Sequence, residues 1–205
     1  MADDALTLAV AGRLYEGWTA IRVSRGIDRC ATDFDIEVSE RWANQDAPWQ
    51  ILPYTPCRIT IGTDPVLTGY VDTYFPRMDP SAHTVQVQGR SKTEDLIDCT
   101  PDIRAGQFSG YSLAAIARSI CALFGIEVVV QADAANTAVA DATIERCETA
   151  FTFLECLGRL AGVLLTDDPQ GRLVLTTAGI IRAAGRLVQG ENLMEASAKL
   201  TSHRR

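Results

Sequence analysis

Apolar and polar residues alternate in short runs through the first ninety residues, and this period of two decides the architecture of that part. Successive side chains of a β-strand point to opposite faces of a sheet, so each run places its apolar residues on one face. Turn-forming stretches at 62–65 and 78–81 separate the runs. At least six strands with short connections favour a closed or nearly closed antiparallel barrel, because closure removes exposed strand edges. The alternating apolar residues are Leu6, Leu8, Val10, Ile21, Val23, Phe34, Ile36, Val38, Cys57, Ile59, Ile61, Val85 and Val87.

After Gly89 the apolar spacing becomes helical. Ser91-Lys92-Thr93-Glu94 has the pattern of a capping box, in which Ser91 caps a short helix and Glu94 reaches back to it. Ser112 precedes a stronger helical pattern that stops at Gly125. Four further segments are predicted: a strand (126–130), an exposed loop (131–142), a helix (149–161) and a hairpin (163–176).

These patterns predict a β-rich α+β fold. An antiparallel β-barrel domain occupies residues 1–89, and a small α/β domain follows over 90–178. Residues 179–205 contain too little apolar pattern to fold alone. Residues 40–56 are expected to form a longer excursion from the barrel rather than a tight turn.

Composition and charge exclude several classes of protein. The 205 residues include 26 acidic and 19 basic side chains, a formal net charge of −7, so the basic footprint of a nucleic-acid-binding protein is missing. No apolar run approaches the roughly 18 residues that a membrane-spanning helix needs, and we expect no membrane anchor. The six cysteines form no C-x-x-C pair and there are two histidines, so we expect reduced, structural cysteines and no metal site.

Catalytic motifs are weak in this sequence. It contains no G-x-S-x-G, H-E-x-x-H or G-x-x-x-x-G-K-[ST] pattern. Neighbouring carboxylates such as Glu94 and Asp95, or Asp167 and Asp168, are better explained by helix starts and turns than by acid–base chemistry. We therefore predict that the protein is not an enzyme, with no catalytic, cofactor-binding or metal-ligating residues.

Residues 66–100 carry a specific resemblance. Val66-Leu67-Thr68-Gly69-Tyr70-Val71-Asp72 leads into Val85-Gln86-Val87-Gln88-Gly89-Arg90-Ser91-Lys92-Thr93-Glu94-Asp95-Leu96-Ile97-Asp98-Cys99-Thr100. This resembles the baseplate hub (tail protein P) family of Mu-like contractile-tailed phages, also grouped with late-control protein D. In that family an LTGYVD strand is followed by a V-x-G-R-S-K-T-x-D-L-I/V-D-C stretch, and the order of the flanking elements is similar over nearly the whole chain.

The resemblance implies a structural role in the virion. Family members have two related barrels with a small α/β domain between them, and three subunits form a ring of six barrels around a channel. The implied partners are further copies of this chain in a homotrimer, the tail tube protein and the central spike protein. DNA would pass transiently through the lumen, where a negative wall would repel its phosphates. The implied localisation is the phage tail baseplate, after synthesis in the host bacterial cytoplasm.

Two further expectations follow from the resemblance. Family members are longer, and their second barrel would begin near Leu187 to Leu200, so we expect 179–205 to be a linker and the start of that barrel, in a fragment or truncated product. Gly89, Arg90, Ser91 and Glu94 are expected to form the junction between the first two domains, where Gly89 permits a sharp exit from the barrel.

Two alternatives concern function and contact surfaces. The alternative to the hub is a tail-associated cell-wall hydrolase or glycan-binding module, which needs a cleft holding two carboxylates about 5–10 Å apart. Trp42, Trp49 and Tyr54 are the candidate contacts with a neighbouring subunit, because aromatic residues are enriched at interface centres. Simple core packing explains these aromatic residues equally well.

Overall fold

Seven antiparallel strands form one curled sheet in the first half of the protein. The computed structural model describes residues 5–27, 29–39, 51–78, 83–103, 106–179, 188 and 190. The strands are β1 (Leu6–Val10), β2 (Arg13–Tyr15), β3 (Ala20–Ser24), β4 (Asp33–Ser39), β5 (Pro56–Ile61), β6 (Asp64–Met78) and β7 (His83–Ser91). Their order across the sheet is β2-β1-β5-β6-β7-β4-β3. Within the described residues β2 does not pair with β3, so the sheet is a half-barrel rather than a closed barrel.

The predicted alternation places one core on one face of this sheet. Leu8, Ile36 and Ile59 are fully buried, whereas the residues between them on each strand are only partly buried or exposed. The β-rich fold class predicted from the sequence is therefore confirmed, and β2 and β3 are the outermost strands of the sheet within the described residues.

The second half combines three helices with two small sheets. The helices are α1 (Glu94–Asp98), α2 (Leu113–Ala122) and α3 (Ala150–Ala161), and the strands are β8 (Gln107–Ser109), β9 (Val128–Val130), β10 (Asp141–Thr143), β11 (Leu164–Asp167) and β12 (Leu173–Thr176). Strand β12 pairs in parallel with β9 and antiparallel with β11, while β8 pairs with β10. Ser112 caps α2 by accepting a hydrogen bond from the amide of Ala115, and Gly162 ends α3 in the left-handed conformation.

Three local expectations are wrong in detail. Segment 131–142 is not a plain exposed loop, because it contains a 3-10 helix (Asp133–Asn136) and the strand β10, and it buries Ala132, Ala135 and Ala142. The capping box at Ser91 does not form, since Ser91 is still the last residue of β7 and α1 starts after Thr93 without a side-chain cap. Asp167 belongs to a strand rather than to a turn.

Gly89 serves close packing rather than a sharp exit. Strand β7 continues past it to Ser91, paired with both β4 and β6. A Cβ atom at Gly89 would overlap the Tyr70 carbonyl oxygen and lie 2.6 Å from the Phe34 ring. The backbone of β7 therefore passes directly beneath that ring, and only glycine leaves room for it.

A buried polar contact joins the sheet to the second half. The Asp167 carboxylate, at the end of β11, accepts hydrogen bonds from the Thr32 amide (3.0 Å) and the Thr32 hydroxyl (2.9 Å). Nearby, the Thr93 hydroxyl donates to the Cys30 carbonyl at 2.6 Å, and the Cys30 thiol packs in the core of the second half. The two halves thus share buried hydrogen bonds and part of one core.

Some sequence-based expectations lie outside the described residues. Trp42 and Trp49 are among these residues, and so is most of 179–205, where the second barrel was expected to begin. Those expectations stay predictions.

Replacing Gly89 by alanine tests the close packing of β7. We expect Gly89→Ala to lower the free energy of unfolding by about 1–3 kcal/mol or more, because the new methyl group forces Phe34 and the β6 backbone apart. Gly179→Ala is the matched control, since its Cβ would meet no atom of the described chain within 4 Å. Urea unfolding measures both. Equal effects of the two substitutions would contradict the packing role.

Replacing Asp167 by asparagine tests the contact between the halves. The amide cannot accept both hydrogen bonds from Thr32 as the carboxylate does, so we expect a loss of about 1–3 kcal/mol in unfolding free energy. The exposed Asp102→Asn is the control for the change in charge. The same urea assay applies, and a loss no larger than that of the control would disprove a structural role for this carboxylate.

Candidate functional site

A polar concavity of the described chain lies where β6, β7 and α1 meet. Its volume is about 450 Å³. Four carboxylates and a single guanidinium line it together with two phenol rings and a thiol. These residues, called the acidic cleft below, are Tyr54, Tyr70, Asp72, Arg90, Glu94, Asp95, Asp98 and Cys99.

Arg90 organises the carboxylates of the acidic cleft. Its Nε donates to Asp72 Oδ2 at 2.8 Å, and its Nη2 donates to Asp98 Oδ2 at 2.8 Å. Register accounts for the first bond, because Arg90 of β7 lies opposite Tyr70 of β6 and close to Asp72. The two hydrogen bonds raise the pKa of the guanidinium, so Arg90 stays charged.

Glu94 is the buried carboxyl group of the cleft. Its Oε2 lies 2.9 Å from Arg90 Nε, but the one hydrogen on that nitrogen is directed to Asp72. Glu94 Oε2 therefore receives no hydrogen bond from the described part of the chain. Burial raises the pKa of Glu94 to about 8, and the nearby Asp72 carboxylate adds to the shift, while Arg90 opposes it.

Other titratable groups face the same carboxyl. Burial, together with the charge of Asp98, raises the pKa of Asp95. Burial and the charges of Asp95 and Glu94 raise the pKa of Tyr70. Below the cleft, burial raises the pKa of the Cys57 thiol on β5 to about 12, with contributions from Glu94 and Asp72. Negative charge is thus in excess around Glu94.

Tyr54 stands at the rim of the acidic cleft. Its side chain is 85% exposed, and its backbone has a φ of 64°, a left-handed conformation that is uncommon for a bulky residue. The amide of Tyr54 donates to the Val71 carbonyl at 2.7 Å, which holds this conformation against β6. The subunit contact expected at Tyr54 stays a prediction, and the structure adds that this ring borders an acidic cleft.

The expected junction residues fall in and beside this cleft. Gly89 packs under Phe34, Arg90 and Glu94 line the cleft, and the Ser91 hydroxyl is buried against that of Thr93 at 2.8 Å. Sequence reasoning treated Glu94 as a helix cap and missed Asp72 and Asp98. The sequence offered a partial signal for Asp98, because Glu94 and Asp98 lie four residues apart on the predicted helix and so share one face, but Arg90 belongs to β7 and its place beside them depends on the strand–helix connection.

The arrangement does not match a glycoside hydrolase. Such an enzyme holds its two carboxyl groups apart, on either side of a bound sugar. Here Asp72 and Glu94 are close enough to share a hydrogen bond, and oxygens of both lie within 3 Å of the same Arg90 nitrogen, so no sugar fits between them. The cleft does bring ionisable groups together, but a guanidinium bridges them, which is typical of a structural cluster.

The described residues contain no metal-ligating cluster and no membrane-spanning helix. No group of three or more His, Cys, Asp or Glu side chains in this part of the chain is placed to hold a metal ion. No helix there is long and apolar enough to span a bilayer.

Comparison with known proteins identifies the class. Residues 5–91 match the family profile described as "Mu phage baseplate assembly protein GpP-like, N-terminal", and residues 93–177 match "Baseplate hub protein gp44-like, second domain". A tail protein of prophage MuSo2 from Shewanella oneidensis, of 43 kDa, has a similar structure with a TM-score of 0.87 and 36% identity, over 93% of this chain and 59% of that one. The fold is that of a phage tail protein.

The curated relatives define the family more closely. The baseplate hub protein gp44 of Escherichia phage Mu is 33% identical over 194 residues, which is 94% of this chain and 50% of that protein. The chain belongs to the baseplate hub family of Mu-like phages, as the resemblance predicted. It spans about half the length of this curated relative. A tail protein from Neisseria meningitidis MC58, with a TM-score of 0.72 and 22% identity over 83% of this chain and 49% of that one, shares the fold.

The buried Glu94 carboxyl predicts an unusual pH dependence of stability. Because the folded state holds this proton up to about pH 8 and an unfolded glutamate releases it near 4.5, rising pH removes stability between these values. From pH 6 to pH 9 we expect a loss on the order of 2 kcal/mol from this group. Urea unfolding at both pH values measures it.

Glu94→Gln isolates this contribution, because glutamine resembles the protonated acid and does not ionise. The variant is expected to lose less stability than the wild type over the same pH range. Glu155→Gln, on the exposed side of α3 and outside the cleft, is the matched control and keeps the wild-type slope. If the unfolding free energies of wild type and Glu94→Gln changed equally with pH, Glu94 would not titrate in this range.

Proposed function

We propose that the protein is a structural component of the baseplate hub of a contractile phage tail, where it forms a trimeric ring that joins the tail tube to the central spike. The observation that carries the proposal is the family match, which covers both halves of the chain in the same order. The relatives bear the names of baseplate hub and tail proteins, which supports a structural role and not an enzymatic one. The proposed localisation is the virion.

The fold supports assembly with other subunits. Strands β2 and β3 form the edges of the half-barrel, and an exposed strand edge offers unpaired backbone groups to a neighbouring chain. Apolar side chains lie exposed near both edges: Leu14 of β2 is 72% exposed and Ile21 of β3 is 51% exposed. Contact between subunits along these edges would bury both the apolar surface and the backbone groups.

The domain organisation is part of the proposal. We place a first domain at 1–89, a second at 90–178 and the junction between them at Gly89, Arg90, Ser91 and Glu94. Two hydrophobic clusters support this division, one in the half-barrel and one in the α/β half, and Cys30 is the residue of the first half that packs in the second cluster. In the assembled ring, the acid excess of the chain would favour free passage of DNA through the lumen.

A chimeric phage tests the proposed function. Residues 5–177 of this chain replace the matching stretch of the phage Mu hub protein, and the chimera is supplied to a Mu lysogen that lacks the hub gene. We expect tailed particles by electron microscopy and the chimera as a trimer in purified baseplates. The re-supplied Mu protein is the positive control. A soluble, folded chimera that is absent from tails, or present as a monomer, would contradict the proposal.

A further inference from the structure

The acidic cleft has the composition of a receptor for a cation. Among the described residues that line the cleft, Asp72, Glu94, Asp95 and Asp98 face one guanidinium, that of Arg90. Arg90 already forms hydrogen bonds to two of these carboxylates, those of Asp72 and Asp98, at 2.8 Å each. Glu94 lies 2.9 Å from Arg90 Nε but receives no hydrogen bond from it, so the carboxyl groups of the cleft outnumber the hydrogen bonds that Arg90 supplies.

Glu94 provides an independent sign of an unmet need: its protonated form can share a hydrogen bond with Asp72, but its ionised form has no hydrogen-bond donor in the described chain. Its side chain is 8% exposed and lines the cleft, yet its Oε2 receives no hydrogen bond in the described chain. A buried carboxyl oxygen without a donor is costly, and native structures rarely keep one without a reason. A proton or an incoming cation would relieve that cost.

The rim favours an organic cation over a metal ion. The rings of Tyr54 and Tyr70 border the carboxylates, and aromatic faces attract ammonium and guanidinium groups. The acidic groups do not converge as a metal site requires anywhere in the described residues. A guanidinium or primary ammonium group at the end of a flexible side chain fits a cleft with a volume of about 450 Å³.

We propose that the acidic cleft binds an arginine or lysine side chain of a neighbouring protein subunit in the baseplate. The bound cation would contact Glu94 and Asp95, with the Tyr54 ring against its stem. The inference deepens the proposed function and rests on it only for the source of the cation. Binding of the cation itself is a property of this chain alone.

A competition with protons follows from the position of Glu94. The groups that face this carboxyl are Asp72 and Tyr70 of β6, Arg90 of β7, Asp95 and Asp98 of α1, and Cys57 of β5. Arg90 is the one cation among them. The electrostatic potential in the cleft is therefore negative and attracts a second cation. The cation and the proton then exclude each other, and binding tightens as the pH rises.

Titration of the 205-residue protein with N-acetyl-arginine amide tests the proposal. Backbone amide shifts of Tyr70 and Asp95 are followed by NMR at constant ionic strength. We expect saturable binding, about tenfold tighter at pH 9 than at pH 7, because the pKa of Glu94 of about 8 leaves the carboxyl mostly protonated at the lower pH. The uncharged isostere N-acetyl-citrulline amide is the matched ligand control and is expected not to bind.

Two substitutions assign the binding to the cleft. Glu94→Gln is expected to weaken binding about tenfold at pH 9 and to remove its pH dependence, since an ionic hydrogen bond is lost. Tyr54→Ala, at an exposed position, is expected to weaken it about two- to fivefold. Glu155→Gln, outside the cleft, leaves affinity unchanged.

The outcomes separate this inference from the proposed function. Shifts that do not saturate, that are equal for the citrulline probe, or that are independent of pH in the wild type would overturn the cation site, even if Glu94→Gln fails to fold. A chimera that fails to enter tails while the titration saturates would overturn the hub role and leave the cation site standing.

Discussion

The contact on which the arrangement of the two halves depends is a carboxylate buried between two hydrophobic cores. Asp167 leaves β11 with its charge in the interior and is satisfied by two hydrogen bonds from Thr32, while Arg25 lies 3.9 Å away. A buried charge without partners costs several kcal/mol, so Asp167 and Thr32 must stay together for either half to keep its native packing. Thr68 of β6 reinforces the link by donating its hydroxyl to the Pro169 carbonyl at 2.9 Å.

The acidic cleft is a consequence of that fixed junction. Strand β7 runs without interruption to Ser91, and α1 begins three residues later, so the direction of α1 is set by the strand. Arg90 and Glu94 then meet across the connection, and Asp72 is presented by the neighbouring strand. If α1 moved freely relative to the sheet, Arg90 would keep its bond to Asp72 but would hold Glu94 and Asp98 in no fixed geometry, and Glu94 would reach water and ionise normally.

The sequence predicts the helices and strands of this fold better than the contacts between them. Alternation at Leu6, Leu8 and Val10 is dictated by burial on one face, and burial is what the sheet provides. Ser112 and Gly162 act locally, through backbone groups a few residues away, so their roles were predictable. Asp167 looked like a turn residue beside Asp168, because its partner lies 135 residues away in the chain.

Asp168 and Asp167 show which side-chain contacts can be predicted from neighbouring residues and which cannot. Asp168 does what its position predicts, since its carboxylate accepts the amides of Gln170 and Arg172 within the turn. Asp167 is the last residue of β11, where successive side chains point to opposite faces, and its carboxylate reaches Thr32 between the halves instead of the turn. The same alternation separates the buried Val71 from the cleft-lining Tyr70 and Asp72. A shift of one position along a strand therefore decides where a side chain of this protein lies. It packs either in the core or at the surface that a neighbouring subunit would contact.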